Sequence, residues 1–288
     1  MQSNNPVFRN SNEFNGKANA YGNQVYDGSG TAHQGFGTTD PSTWSTGTPT
    51  HTGAGTGRMT IDSVVQKTGL SIFIVIVFAF ITWVMTPALT DINNDVSNSS
   101  IQTLYAWMAI GSFGAFGLSL VNSFKRVISP ALVLAFAALE GVALGALSKW
   151  FDYQFGDGIV IQAVIGTFAA FAGTLAAYKF FNIQVGTKFR MFVIGAMFAM
   201  VGLSILELIL SFFGSAIGLY GFSGIGLVFA ILGLVLGVFM LILDFDFVEN
   251  GVRAGLPDRE SWRAAFGLTV SLVWIYTNLL RILAIMRR

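Results

Sequence analysis

The sequence predicts an all-α integral membrane protein, a bundle of seven transmembrane helices behind a long polar N-terminal tail. Three observations predict it. Of 288 residues, 53% are hydrophobic and 11% charged, where soluble domains carry about 25% charged residues. The apolar residues gather in seven runs, each close to the roughly 20 residues that cross a bilayer. The stretches between runs are short, which suits packed helices. Open strands are excluded, because unpaired backbone groups cannot face lipid.

Residues 1–68 form the predicted tail, and 69–288 the predicted membrane domain. The tail is rich in Gly, Asn, Ser and Thr, with scattered aromatics such as Phe8, Tyr21 and Trp44. It has no sustained apolar run to offset chain entropy and is expected to be disordered. No basic segment precedes an apolar stretch as a signal peptide requires. The glycines at Gly28, Gly30, Gly35 and Gly37 lack the strand and helix that a phosphate-binding loop needs. A solvated linker or a partner-binding arm is the expectation.

The spans fall near residues 69–89, 103–121, 130–148, 160–178, 191–213, 222–243 and 264–286. Basic residues cluster in alternate connections: Lys67; Lys125 and Arg126; Lys179, Lys188 and Arg190; Arg253, Arg259 and Arg263. The first connection holds Asp91 and Asp95, the third sets Lys149 against Asp152 and Asp157, and the fifth is uncharged. Short-loop positive charge marks the cytoplasmic side, so the tail is expected there and the chain in the cell membrane. Seven crossings would place the C-terminus opposite the tail, yet the chain ends Met286-Arg287-Arg288. Two arrangements stay open: a final crossing with arginines outside, or a re-entrant segment with both ends cytoplasmic.

Composition narrows the chemistry. The net charge of +1 suggests no nucleic-acid partner, and the absence of cysteine excludes disulfides and thiolate sites. Both histidines, His33 and His51, lie in the tail. With neither His nor Cys in the spans, no catalytic constellation presents itself, and no enzyme is expected. No cofactor is expected either. EF-hand, P-loop, HExxH and GxSxG motifs are absent. Small-xxx-small pairs at Gly141–Gly145 and Gly233–Gly237 predict close helix contacts.

Intramembrane ionisable residues are costly and face a partner or water. The candidates are Glu140, Glu207, Asp244, Asp246 and Arg281, with Asn278 three residues before the arginine. Each acid has a structural alternative, bonded to a neighbouring helix or solvated at the interface. A neutral acid donates a hydrogen bond and a carboxylate only accepts, so such a site responds to pH. Hard cations such as Ca²⁺ prefer oxygen ligands, which makes Asp244 and Glu140 the metal-ligand candidates.

Several segments carry a resemblance: Ser129-Pro130 leading to Leu139-Glu140-Gly141-Val142; Leu243-Asp244-Phe245-Asp246-Phe247-Val248-Glu249; Ala264-Ala265-Phe266-Gly267-Leu268; and Leu279-Leu280-Arg281-Ile282-Leu283. Asn5-Pro6-Val7-Phe8-Arg9 and Met59-Thr60-Ile61-Asp62 add to it. The chain resembles the Bax inhibitor-1 family, YccA-like bacterial proteins of the actinobacterial branch. The resemblance implies a seven-helix bundle with the last helix central and a pH-sensitive Ca²⁺ leak. It also implies two aspartates, on the sixth and seventh helices, sharing a proton. Asp244 matches the sixth-helix aspartate. The seventh-helix position holds Ser271, and the acid of the actinobacterial branch is replaced by Asn278. Glu140 matches an acidic position of the family and is a candidate substitute. The resulting expectation is a passive pH-modulated cation pathway with Asp244, Glu140 and Arg281 in one buried polar cluster. The rival expectation is an interaction protein that binds a membrane-bound AAA protease through its tail.

Overall fold

The computed structural model describes residues 57–89, 98–156, 158–181 and 183–288. The expected disorder of the tail, its glycine cluster and both histidines fall outside these, apart from residues 57–68. Asp91, Asp95 and Asp157 also lie outside the described residues.

Seven helices follow one another: α1 Ile61–Met85, α2 Asn98–Phe124, α3 Pro130–Phe155, α4 Ile159–Phe180, α5 Thr187–Phe212, α6 Gly224–Arg253 and α7 Glu260–Arg287. All seven are long and apolar enough to cross a membrane. At 1.5 Å per residue, even the shortest, with 22 residues, covers the ~30 Å hydrocarbon core. The seventh helix, with 28 residues, is likewise long enough to cross.

Helix α1 starts eight residues before the span at 69 that the apolar run predicts. Ile61–Thr68 therefore continue the first helix ahead of the apolar run. The cause is a reciprocal cap: the Ser63 N–H donates to Thr60 Oγ1 at 3.1 Å, and the Thr60 N–H donates to Ser63 Oγ at 3.2 Å. These bonds satisfy helix-end donors and let a polar turn start the helix. Pro130 opens α3 with a preset φ. The α3–α4 turn needs Gly156 and Gly158, both at φ +89°.

Helix α7 is the central post. It packs against α1, α3, α4 and α6, whereas α2 packs on α3 and α5 on α6. Ala265, Ile275, Leu280 and Ala284 of α7 are fully buried. Large apolar side chains such as Phe73, Phe113, Phe198 and Phe212 are exposed on the outward faces. In water that surface would be an aggregation hazard, but in a membrane it is the lipid contact.

The glycines divide into two groups. A Cβ at Gly141 would strike Val75 O, and one at Gly145 would lie 2.8 Å from Ala79 Cα. These glycines let the α1 backbone rest on α3. Gly233 similarly receives the Asn278 side chain, and Gly237 receives Ile275. Gly173, Gly195 and Gly202 face open space.

Candidate functional site

The seam between α6 and α7 carries the first site residue. Ser271 Oγ donates to Asp244 Oδ2 at 2.5 Å. One turn earlier on α7, a Cβ at Gly267 would lie 2.9 Å from Asp244 Oδ1. Asp244, half-buried, is thus wedged against the central helix by a hydroxyl on one side and a bare backbone on the other. Ser271 is the residue that the resemblance places opposite Asp244.

Glu140 lies on the far side of α7. Phe136 meets Phe266 edge-on at 5.0 Å, and Ser148 bonds Tyr276 at 2.7 Å. Glu140, one turn past Phe136, therefore stands about level with the Thr269–Ser271 turn. Its helical neighbours Val133, Phe136, Ala137 and Leu144 are buried, so it shares the inward arc of α3. Among the described residues it has no hydrogen-bond or ion-pair partner. Asp244 and Glu140 thus flank α7 at similar depth without bonding each other.

Arg281 joins neither acid, which corrects the expected cluster. It lies ten residues past Ser271, about 15 Å along α7. Its Nη2 donates to the Leu219 carbonyl at 2.6 Å, and the guanidinium sits 4.6 Å from the Tyr220 ring centroid. The same loop donates to Glu207 of α5, whose carboxyl accepts the N–H groups of Ile217, Gly218 and Leu219 at 2.9, 2.8 and 3.1 Å. Ser204 bonds the Tyr220 hydroxyl as well. Glu207 and Arg281 therefore clasp the α5–α6 loop, Glu207 through the N–H groups of residues 217–219 and Arg281 through the carbonyl of Leu219. Both work on backbone groups, far from Asp244.

Asp246 faces away from the seam. It pairs with Arg190 of α5 at 2.9 Å, and Tyr178 and Arg253 meet Glu249 at 2.8 and 2.6 Å. Asn278 packs on Gly233 and donates to the Trp274 carbonyl at 2.8 Å, while Trp274 Nε1 donates to Gly233 O at 2.8 Å. Asn278 thus tightens the α6–α7 contact. Among the described residues, no three His, Cys, Asp or Glu side chains come together as a metal site. Asp244 and Glu140 are not brought together into such a group.

A polar latch joining the start of α1 to the α6–α7 connection and the start of α7 was not read from the sequence. Lys67 Nζ meets Asp258 Oδ2 at 2.7 Å and its carbonyl at 2.8 Å. Ser63 and Ser261 bond at 2.7 Å, and the Met59 N–H donates to Leu256 O at 2.7 Å. Burial pushes the Asp258 carboxyl pKa upward. Hydrogen bonds from Lys67, Ser63 and Ser261 and the Lys67 charge outweigh it, holding the group below the ordinary aspartate value. Arg259 Nε donates to Ile128 O at 2.8 Å, and Arg263 to Arg126 O at 2.9 Å. The basic connections around Lys67, Arg126 and Arg259 thus meet on one face. At the other end, Arg287 donates to the Phe155 and Gly156 carbonyls at 3.2 and 3.1 Å. That contact gives the terminal arginine a helix end to cap.

A family model described as Bax inhibitor 1 like matches residues 5–288. The chain is also similar to an uncharacterized protein of Chlamydia muridarum, 25% identical over 198 residues, 65% of this chain and 80% of that one.

Proposed function

The chain belongs to the Bax inhibitor 1 like family and is a multi-pass membrane protein; from that premise we propose that it is a passive, pH-modulated cation pathway with calcium as its cargo. The observation that carries this reading is the Asp244–Ser271 contact across the α6–α7 seam. An ionised Asp244 only accepts, so it takes the Ser271 hydroxyl hydrogen. A protonated Asp244 has a hydrogen of its own to donate. The seam thereby has two hydrogen-bond patterns, and proton binding biases which arrangement of the two helices prevails.

Glu140 supplies a second oxygen ligand on the other flank of α7, and hard cations favour such ligands. Arg281 and Glu207 belong to the loop clasp and are excluded from the gate. The tail and the basic loops lie on the cytoplasmic side in this reading.

Calcium flux into dye-loaded proteoliposomes, measured across a pH series, tests the proposal. The wild type is expected to conduct with a pH-dependent rate. Asp244→Asn loses the pH dependence, and Ser271→Ala displaces it along the pH axis. Equal, pH-independent flux in the wild type and Asp244→Asn would refute it.

A further inference from the structure

Two adjoining cavities lie along α1, and their chemistry differs. The larger-walled one is an apolar slot of about 280 Å³ between α1 and α4, floored by α3 and α7. A cavity of roughly 150 Å³ already admits a benzene ring, and ligand sites begin near 300 Å³, so the slot is large enough for a chain and just short of the usual ligand-site range. Its rims include Ile76 and Phe80 on α1 and Val164 and Phe168 on α4, all exposed. The slot is therefore continuous with the lipid-facing surface of the bundle.

The few polar groups on its floor are already satisfied. Tyr276 and Ser148 bond each other, Thr167 bonds the Ala163 carbonyl, and Thr269 bonds the Ala265 carbonyl. Nothing in the slot asks for a polar ligand. Along α1 it runs from Ile72 to Trp83. Eleven residues rise about 16 Å, and half of a ~30 Å hydrocarbon core is about 15 Å. The slot has the length of one leaflet.

Trp83 also lines the second cavity, of about 400 Å³, together with Leu89, Lys149, Asp152, Tyr153 and Gly156. This one mixes polar and apolar walls and sits at the α3–α4 turn, the end of the spans. Lys149 brings its positive charge there, with its three N–H donors taken by the Trp83 and Thr86 carbonyls at 2.9 and 2.6 Å and the Thr86 hydroxyl at 2.9 Å. Tryptophan at such a boundary is characteristic of the membrane interface.

We infer that the two cavities form one binding site for a glycerophospholipid, with an acyl chain in the α1–α4 slot and the polar headgroup in the cavity lined by Lys149, Asp152 and Tyr153. The bilayer itself supplies the occupant, and apolar burial along the slot holds it.

Photo-crosslinking tests this on the full chain in phosphatidylglycerol vesicles, using phosphatidylglycerol with a diazirine in one acyl chain and peptide mapping of adducts. Adducts are expected on Phe80, Val164 or Phe168. Val164→Trp, which fills the slot, lowers that labelling about tenfold, the effect of excluding roughly two methylenes. Ile161→Trp, on the open lipid face of α4, leaves it unchanged. Phe168→Ala, at an exposed rim, serves as a second variant and also lowers labelling. A diacylglycerol carrying the same diazirine chain labels the slot less than the phospholipid. Undiminished labelling in both Val164→Trp and Phe168→Ala, or equal labelling by diacylglycerol, overturns the proposal.

Discussion

Replacing Glu207 with alanine probes the loop clasp directly. The wild-type carboxyl takes three backbone N–H groups. Ile217 and Gly218 are solvent-accessible, so water replaces the carboxyl there at a cost of about 1 kcal/mol each. Leu219 is buried, and its orphaned N–H costs about 1–3 kcal/mol. The same peptide segment carries the carbonyl that receives Arg281, so that contact loosens too. The expected loss is about 3–5 kcal/mol, large against the typical ~1 kcal/mol of a point substitution. At about 2–4 °C per kcal/mol for a chain of this size, the midpoint in detergent falls by roughly 6–20 °C. Glu207→Gln keeps one acceptor oxygen and is expected to lose about half as much. Neither substitution touches Asp244, so the pH dependence of calcium flux stays as in the wild type. A midpoint shift below about 2 °C for Glu207→Ala would refute the clasp. A shifted flux profile would return Glu207 to the ion pathway.

Three further outcomes are expected. The Asp258 carboxyl titrates below its ordinary value in the folded chain, so its stabilisation is present above the unfolded pKa of about 3.9 and fades as pH falls through the folded value. Melting in detergent between neutral and acid pH should show this loss in the wild type, and Asp258→Asn should remove that component. Gly145→Ala forces α1 off α3, because Ala79 backbone atoms occupy the Cβ position; the expected cost is about 1–3 kcal/mol or more. Gly195→Ala faces open space in α5 and is expected to stabilise by about 0.4–1 kcal/mol; equal effects at the two sites would contradict the packing described. Arg287→Ala uncaps the C-terminus of α3 at an exposed site and should cost no more than about 1 kcal/mol in chemical denaturation.

The contrast between Gly145 and Gly195 also marks how far the sequence could be read. Apolar length revealed all seven spans, because lipid demands it of any helix that crosses. It misplaced the start of α1, since Asp62, Gln66 and Lys67 interrupt the apolar run while the Thr60–Ser63 cap holds the turn. Asp244 and its opposite number Ser271 were legible through the resemblance. The partners of Arg281, Glu207, Lys149 and Arg287 were not, for one physical reason. Sequence reasoning pairs a charge with an opposite charge, whereas these four bond backbone groups at helix ends and in loops. Helix ends leave unpaired N–H and C=O groups, and a chain in a membrane has little water near them. Which carbonyl a given arginine reaches depends on loop geometry that no residue pattern displays.

The central position of α7 has a consequence for how the protein is made. Without it, α1, α2 and α3 form one packed group, and α4, α5 and α6 another, with only thin α3–α4 and α1–α6 contacts between them. The helix that joins the halves follows the other six in chain order. Until Ser271 and Tyr276 arrive, Asp244 and Ser148 stand in the bilayer without those partners. A chain cut short after Arg253 is expected to keep two loosely coupled helix groups, α1–α3 and α4–α6, joined by the short α3–α4 turn.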